Sequence, residues 1–373
     1  MIKNLQRMLV GIIFALPVLG FITIPDDYVV KGENRRIAQF PEFGHSMFFA
    51  TLQNYFNDRL LFKNWANENL YTTFTSLFDD FNYSSAQFTI VGEKGWLFAG
   101  NSSNDVYSQH CEDKKLDVKK TNEKISYLAS LRDLALENDA TFDFVIGPDK
   151  HGIYPEFMNR HIRYPGKFRY FDKQKSYFDN SSISYIDLFD LERSHKDPEE
   201  KISLYYTDDT HWNSYGAHFA FEYLMKRLEG DSYVPFKYDF EFKKHENGDL
   251  VGYLNNPKKD ILDDAIPSRD GTPVVKWHFY KEGNDGSAQL QMSVNLNYNL
   301  EYFNENAVSD KTIMMITDSY GFHMSPFFID YYSHVIILHR QMVSFDEIKS
   351  IVQKEKPYHI LYINVERNSI KLD

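Results

Sequence analysis

Three short stretches of this 373-residue chain carry residue types that do chemistry at usable spacing. The first, Thr317-Asp318-Ser319-Tyr320-Gly321, follows the apolar run Thr312 to Ile316. A serine where a buried strand turns into a helix stands above the sheet edge and can act as a nucleophile, with the helix's first amides open to a developing oxyanion. Gly321 permits a tight turn there. The same position also suits a plain helix cap. The second stretch, Tyr206-Thr207-Asp208-Asp209-Thr210-His211-Trp212-Asn213, sets Asp209 and His211 two apart. In an extended segment such side chains share a side. Asp209 can then accept the His211 Nδ1–H, leaving Nε2 to take a proton from a hydroxyl. Two other readings stay open: an Asp or Asn capping the next helix with His211 merely packed, and a metal site built from His211, His218 and a carboxylate, without the compact zincin spacing. The third stretch runs from Gly147-Pro148-Asp149-Lys150 to Tyr154-Pro155-Glu156. Lys150 can steady a negative charge and Tyr154 can stack on a sugar ring; a turn with solvated charges is the alternative.

The elements that must position these residues alternate between strand and helix. Ile125, Leu128, Leu131 and Leu134 mark a helix face, and the strand 141–146 follows. A short strand at 185–188, a helix over 215–228, strands at 312–316, 335–338 and 360–365, and a helix over 345–354 continue the rhythm. Ser344 and Glu347 have capping-box spacing. Helix and strand in alternation imply a parallel sheet. Ile90 to Phe98 reads as strand, glycine turn, strand, and Phe48, Leu52, Tyr55, Phe56 and Leu60 as a helical stripe. Residues 230–308 lose the rhythm. Strand-like pieces at 273–280 and 290–296 make them a β-rich insertion.

Composition narrows the function. Forty-one Lys and Arg against 53 Asp and Glu give a net charge of -12, which repels nucleic acid. The single cysteine, Cys111, excludes an intrachain disulfide framework and any multi-cysteine metal or iron–sulfur centre. Aromatic residues reach 16%, a share that suits carbohydrate contact and ordinary cores alike. At the N-terminus, Met8 to Ile24 carries no charge, with Lys3 and Arg7 before it and Asp26 and Asp27 after it. A helix of that length covers about 25 Å at 1.5 Å per residue. The flanking charges predict residues 1–7 in the cytoplasm, 8–24 as a single-pass signal-anchor, and the rest outside. A cleaved signal is the rival, but no small-x-small site follows the apolar run.

Taken in order, these pieces resemble the SGNH-hydrolase-like O-acetyltransferases of bacterial exopolysaccharides, the group that includes the proteins of alginate O-acetylation. The matching stretches are Glu33-Asn34-Arg35 with Phe40-Pro41, Tyr55 to Arg59, Gly92 to Phe98, Pro148-Asp149-Lys150 to Glu156, Asp209 to Asn213, Thr317 to Tyr320, and Glu366-Arg367. The resemblance implies a three-layer α/β/α domain over 85–373 with a mainly parallel sheet and the β-rich insertion at 230–308, preceded by a juxtamembrane helical segment at 25–84. It implies Ser319 as acyl-accepting nucleophile, His211 as general base and Asp209 as its orienting partner. Tyr320, Lys150 and Tyr154 are then oxyanion or substrate-binding candidates, with no metal or cofactor. The implied partners are a polysaccharide and a membrane-bound O-acyltransferase that supplies acetyl groups on the periplasmic side of the inner membrane. The family usually has Gly before the Asp-Ser pair and often Phe after it, where this chain has Thr317 and Tyr320. A β-branched residue resists positive φ, so the turn must be made another way. A carbohydrate acetyl-esterase with the same triad, or a non-catalytic glycan-binding scaffold, are the alternative functions.

Overall fold

The structure, a computed structural model, describes residues 23–25, 29–30, 35–40, 48–59, 89–110, 114–158, 169–245, 248–251, 261–279, 285–290 and 299–371. The predicted anchor lies outside them except for Thr23 and Ile24, as does most of the predicted strand at 290–296. Among the described residues no helix is long and apolar enough to cross a membrane. The chain divides into two compact units, Met1–Ser84 with Asn247–Pro257, and Ser85–Glu246 with Lys258–Asp373.

In the smaller unit the strands β1 (Val29–Val30) and β2 (Arg35–Arg36) pair antiparallel, and helix α1 spans Phe48–Asp58. The end of α1 is tied back to the preceding chain. Ala38 N donates to Asp58 Oδ2 at 2.8 Å, and Arg59 Nη1 donates to Ala38 O at 2.9 Å while lying over the Tyr55 ring.

The larger unit begins with a short hairpin, β3 (Thr89–Val91) and β4 (Leu97–Ala99), and helix α2 (Val106–His110). Its centre is an eight-stranded sheet. Helix α3 (Val118–Leu136) leads into β5 (Thr141–Gly147), the one-turn helix α4 (Lys150–Ile153) follows, and α5 (Tyr170–Asp179) leads into β6 (Tyr185–Asp187). Helices α6 (Phe189–Ser194) and α7 (Ser214–Glu229) come next. The strands β7 (Asp239–Lys243) and β8 (Asp264–Ser268) pair apart from the main sheet. The chain returns to the main sheet with β9 (Val274–Phe279), β10 (Asp285–Gln289), β11 (Leu300–Phe303) and β12 (Ser309–Thr317). It then continues through α8 (Ser319–Tyr331), β13 (Tyr332–His339), α9 (Phe345–Glu355) and β14 (His359–Val365). The strand order is β10-β9-β11-β13-β12-β14-β5-β6.

From β13 to β6 all neighbours are parallel, whereas β10, β9, β11 and β13 pair antiparallel. The sheet is therefore mixed, which corrects the expectation of a mainly parallel one. Part of the β-rich insertion extends the main sheet. The reason lies in β13: a strand with Val335, Ile336 and Ile337 fully buried would otherwise present an open apolar edge, and β11 covers it.

Period-2 alternation divides the strands between two cores. Ile313, Met315, Val335, Ile337, Leu361 and Ile363 face α7 and α8, where they meet Phe221, Leu224, Phe327 and Phe328. Met314, Ile316, Ile336, Leu338, Ile360 and Tyr362 face α3, α5 and α9, where they meet Leu128, Leu131, Phe178 and Ile348. The two helix layers and the sheet make the three-layer arrangement. After β12 the chain passes to β13 on one side, then crosses by α9 to β14 on the other. The carboxyl end of β12 is thus a topological switch point, where open α/β sheets bind ligands.

One core feature works against stability. Glu192 on α6 is fully buried, and among the described residues neither carboxylate oxygen has a hydrogen-bond partner. Burial pushes its carboxyl well above the ordinary 4.5, so it is neutral in the fold and ionised when unfolded at neutral pH. A raised folded value means the stability present below pH 4.5 is lost as pH rises toward that folded value. Glu192→Gln should therefore unfold like wild type at pH 4 and gain about 1–3 kcal/mol by pH 8 in urea melts. A gain that does not grow with pH would show that the carboxyl is solvated.

Candidate active site

The carboxyl ends of β12, β14 and β5 converge and assemble the site. At the end of β12, Thr317 keeps a strand conformation, and Asp318 is extended (φ −92, ψ −168) and caps α8. Asp318 Oδ1 accepts from Tyr320 N at 3.1 Å, while Oδ2 accepts from Val365 N and Asn368 Nδ2, both at 3.0 Å. The helix cap is therefore Asp318, stapled to the end of β14, and Ser319 is left as the first helical residue, half-buried at the rim. Positive φ is not needed at Thr317, which lies outside the positive-φ positions among the described residues. Gly321 is needed for close approach: a Cβ there would lie 2.2 Å from Thr317 Oγ1.

The loop before α7 brings the other two groups. His211 Nε2 lies 2.6 Å from Ser319 Oγ, and His211 Nδ1 lies 2.6 Å from Asp209 Oδ1. The same Asp209 oxygen accepts from His211 N at 3.0 Å, so one carboxylate fixes both ring and backbone. Asp209 and His211 side chains are 17% and 18% exposed, reachable from solvent yet mostly enclosed. Asn213 Oδ1 meanwhile caps α7, accepting from Tyr215 N and Gly216 N. Helix capping thus falls to Asn213, and His211 lies within hydrogen-bond distance of both Asp209 and Ser319. His218 packs among Tyr238, Phe240 and Phe327, with Glu222 one turn away.

Long-range contacts hold this loop on the serine helix. Trp212 Nε1 donates to Tyr320 O at 3.1 Å and Tyr320 OH donates to Thr210 O at 2.9 Å, a reciprocal tie between the histidine loop and α8. Both rings lie over the end of β5, where a Cβ on Gly147 would come within 2.7 Å of Tyr320 and 3.2 Å of Trp212. Thr207 donates through N and Oγ1 to Asp263 Oδ2 at 2.7 and 2.6 Å. Asp208 binds the His245 ring at 2.6 Å. Burial opposes charge on His245, but Asp208, with Asp209 and Asp263 behind it, raises its pKa above 6.5.

Three sequence-predicted contact residues have different tasks. Lys150 is 2% exposed, and its ammonium donates to Tyr206 O, Thr207 O and Asp209 O at 2.9, 3.1 and 2.6 Å. Tyr154 is 4% exposed, lies against Trp96 at 4.4 Å between centroids, and its hydroxyl accepts from Leu204 N at 3.0 Å. The Tyr320 ring is fully buried, and its amide is engaged by the Asp318 carboxylate. The expectation that they face substrate is corrected: burial makes Lys150 and Tyr154 supports of the loop and Tyr320 part of its anchor. The flanking motif residues are also internal. Asp149 pairs with Arg367, and Glu366 pairs with Arg169 at 3.0 Å. Burial favours the neutral acid at Asp149, but Arg367 and His110 hold it well below the usual carboxylate range.

One neighbour of the site was missed from sequence. His323 on α8 stacks on His211 with centroids 5.0 Å apart and planes at 26°. Its spacing of four from Ser319, one helical turn, is the signal that could have found it.

The family model described as SGNH hydrolase-like domain, acetyltransferase AlgX, matches residues 89–272. No curated protein matches the chain. Among solved structures the chain is similar to Bacillus cereus PatB1, with a TM-score of 0.56 and 14% identity over 77% of this chain and 99% of that one. It is also similar to a DHHW family protein from Eubacterium siraeum, with a TM-score of 0.53 and 13% identity over 76% and 95% of the two chains. At these identities the likeness is one of fold. The matched span holds Asp209 and His211, while Ser319 lies beyond it and joins them through the geometry alone. Over residues 89–272, just under half of its length, the chain is similar to the SGNH hydrolase-like domain of the acetyltransferase AlgX family.

Proposed function

We propose that this protein transfers acetyl groups to hydroxyls of a secreted bacterial polysaccharide through an acyl-serine. The observation that carries the reading is the unbroken chain Asp209–His211–Ser319, 2.6 Å at each link, at the switch point of the sheet. His211 Nε2 takes the Ser319 proton as Oγ attacks the acetyl carbonyl, then returns it to the donor's leaving group. A sugar hydroxyl gives its proton to His211 and attacks the ester carbon. Ser319 Oγ leaves, takes that proton back, and the O-acetyl sugar departs. Asp209 holds the tautomer and stabilises the imidazolium. The positive end of α8 favours the oxyanion.

The placement of the reaction follows from the same reading. Met8 to Ile24 anchors the chain in the inner membrane with the larger unit on the periplasmic side, where a membrane-bound O-acyltransferase hands over acetyl groups. The basic residues before the apolar run and the acidic ones after it support this. PatB1 has been solved with a sulfonyl adduct; an activated serine at position 319 would accept such a reagent.

The full chain should be given an activated acetyl ester with and without an oligosaccharide. Acetylated sugar should form faster than free acetate when the oligosaccharide is present. Acetate alone, at a rate indifferent to the sugar, would replace the transferase by an esterase.

A further inference from the structure

His323 is a half-buried imidazole that the reaction described above leaves unused. It lies one helical turn after Ser319 and stacks on the face of His211. Tyr206 is its other ring neighbour, at 6.1 Å. Its Nδ1 is buried and has no hydrogen-bond partner among the described residues. The residue as a whole is only half-buried, and of its two ring nitrogens Nδ1, not Nε2, is the one shut away from both solvent and partners among the described residues. The titratable groups around it are His211 and Asp209 on the loop, and His245 with its partner Asp208. Burial and the like charge of His211 push the His323 pKa down to about 3; Asp209 opposes this and His245 adds to it. The ring is neutral at physiological pH.

A neutral imidazole has one N–H and one lone pair. A proton on Nδ1 would shut a donor away without an acceptor, which costs free energy. On Nε2 the same proton faces the open side, next to the base. Acyl transfer brings the attacking hydroxyl to His211 Nε2. A donor stacked on that ring is placed to meet a second oxygen of the same acceptor. Sugars carry vicinal hydroxyls, and a neighbouring oxygen fits this arrangement.

We propose that His323 donates a hydrogen bond from Nε2 to the hydroxyl next to the one being acetylated, so that the acceptor is a sugar presenting a vicinal diol. This rests on the transferase reading and adds to it a residue that selects the acceptor and acts in the second half of the reaction only.

The test separates the two halves. The full chain and its His323→Phe variant, which keeps a stacking ring but has no N–H, are given an activated acetyl ester, and labelling of Ser319 is timed without acceptor. Transfer is then measured to a methyl hexopyranoside and to each of its monodeoxy analogues. Ser319 labelling should agree within about twofold. Transfer to the intact sugar should fall about tenfold or more in the variant. One monodeoxy analogue should be transferred about tenfold more slowly by wild type and no more slowly than the intact sugar by the variant. His323→Asn, which restores a donor, should recover part of the transfer rate. Thermal unfolding of both variants reports their folding. Equal transfer by wild type and variant, or equal slowing of labelling and transfer, would overturn the proposal. A wild-type chain that takes no acetyl on Ser319 would overturn the transferase reading and this proposal with it, a result distinct from selective loss of transfer.

Discussion

Ser319→Ala should abolish acetyl labelling and lower acetyl transfer by a factor on the order of 10⁴ or more. The size follows from the mechanism. In the proposed mechanism the acetyl group rests on an oxygen between its two transfers, and the Ser319 hydroxyl lies 2.6 Å from His211 Nε2. Alanine removes the nucleophile and leaves the rest of the site in place, because Asp318, not Ser319, caps α8 and binds the end of β14. The variant should therefore unfold within about 0.5 kcal/mol of wild type. His211→Ala added to Ser319→Ala should cost little more, since the residues act as a unit. Additive losses would mean that they serve separate steps. Transfer measured with a soluble oligosaccharide decides between these outcomes.

Lys150→Met should destabilise the larger unit by about 3–5 kcal/mol and lower the turnover of the enzyme that still folds by about 100-fold or more. A single buried ammonium gathers the carbonyls of Tyr206, Thr207 and Asp209. Methionine fills much of the volume but offers those carbonyls no donor. They would rotate toward water and carry the Asp209 backbone with them. Because Asp209 Oδ1 holds both the ring and the amide of His211, a small shift reaches the base directly. Chemical denaturation and steady-state kinetics on the same preparation check the two parts. Wild-type stability together with wild-type turnover would show that the loop holds its own shape.

The meeting of Asp209, His211 and Ser319 was legible in the sequence because each of the three carries a local signature. Ser319 follows an apolar strand at its turn into a helix, and Asp209 and His211 stand two apart before a capping Asn213. The elements with strong periodicity were legible for the same reason, and the capping box at Ser344 and Glu347 is formed as its spacing implies. What was not legible depends on chain that arrives from far away. Lys150 faces carbonyls from a loop more than fifty residues downstream, and the pairing of Asp149 with Arg367 spans 218 residues. The local sequence at residues 147–156 describes a turn with charges and contains nothing about what will cover it. Burial, decided by that cover, turned presumed ligand contacts into supports. The mixed sheet has a similar origin. The β9 stretch read as a strand within a β-rich insertion, whereas β10 and β11 did not, and that β11 would close the open side of β13 follows from the need to cover a buried edge. At Thr317, reasoning from positive φ looked for the turn in the wrong variable. The turn runs through an extended Asp318, and glycine is required at 321 because Thr317 packs against it.

The most direct measurement is peptide mapping by mass spectrometry of the full chain quenched during turnover of an activated acetyl ester without acceptor. The account predicts one acetyl group on the peptide containing Ser319, discharged when oligosaccharide is added before the quench. An acetyl group found on another residue, or an unmodified Ser319 peptide while acetyl transfer proceeds, would contradict it.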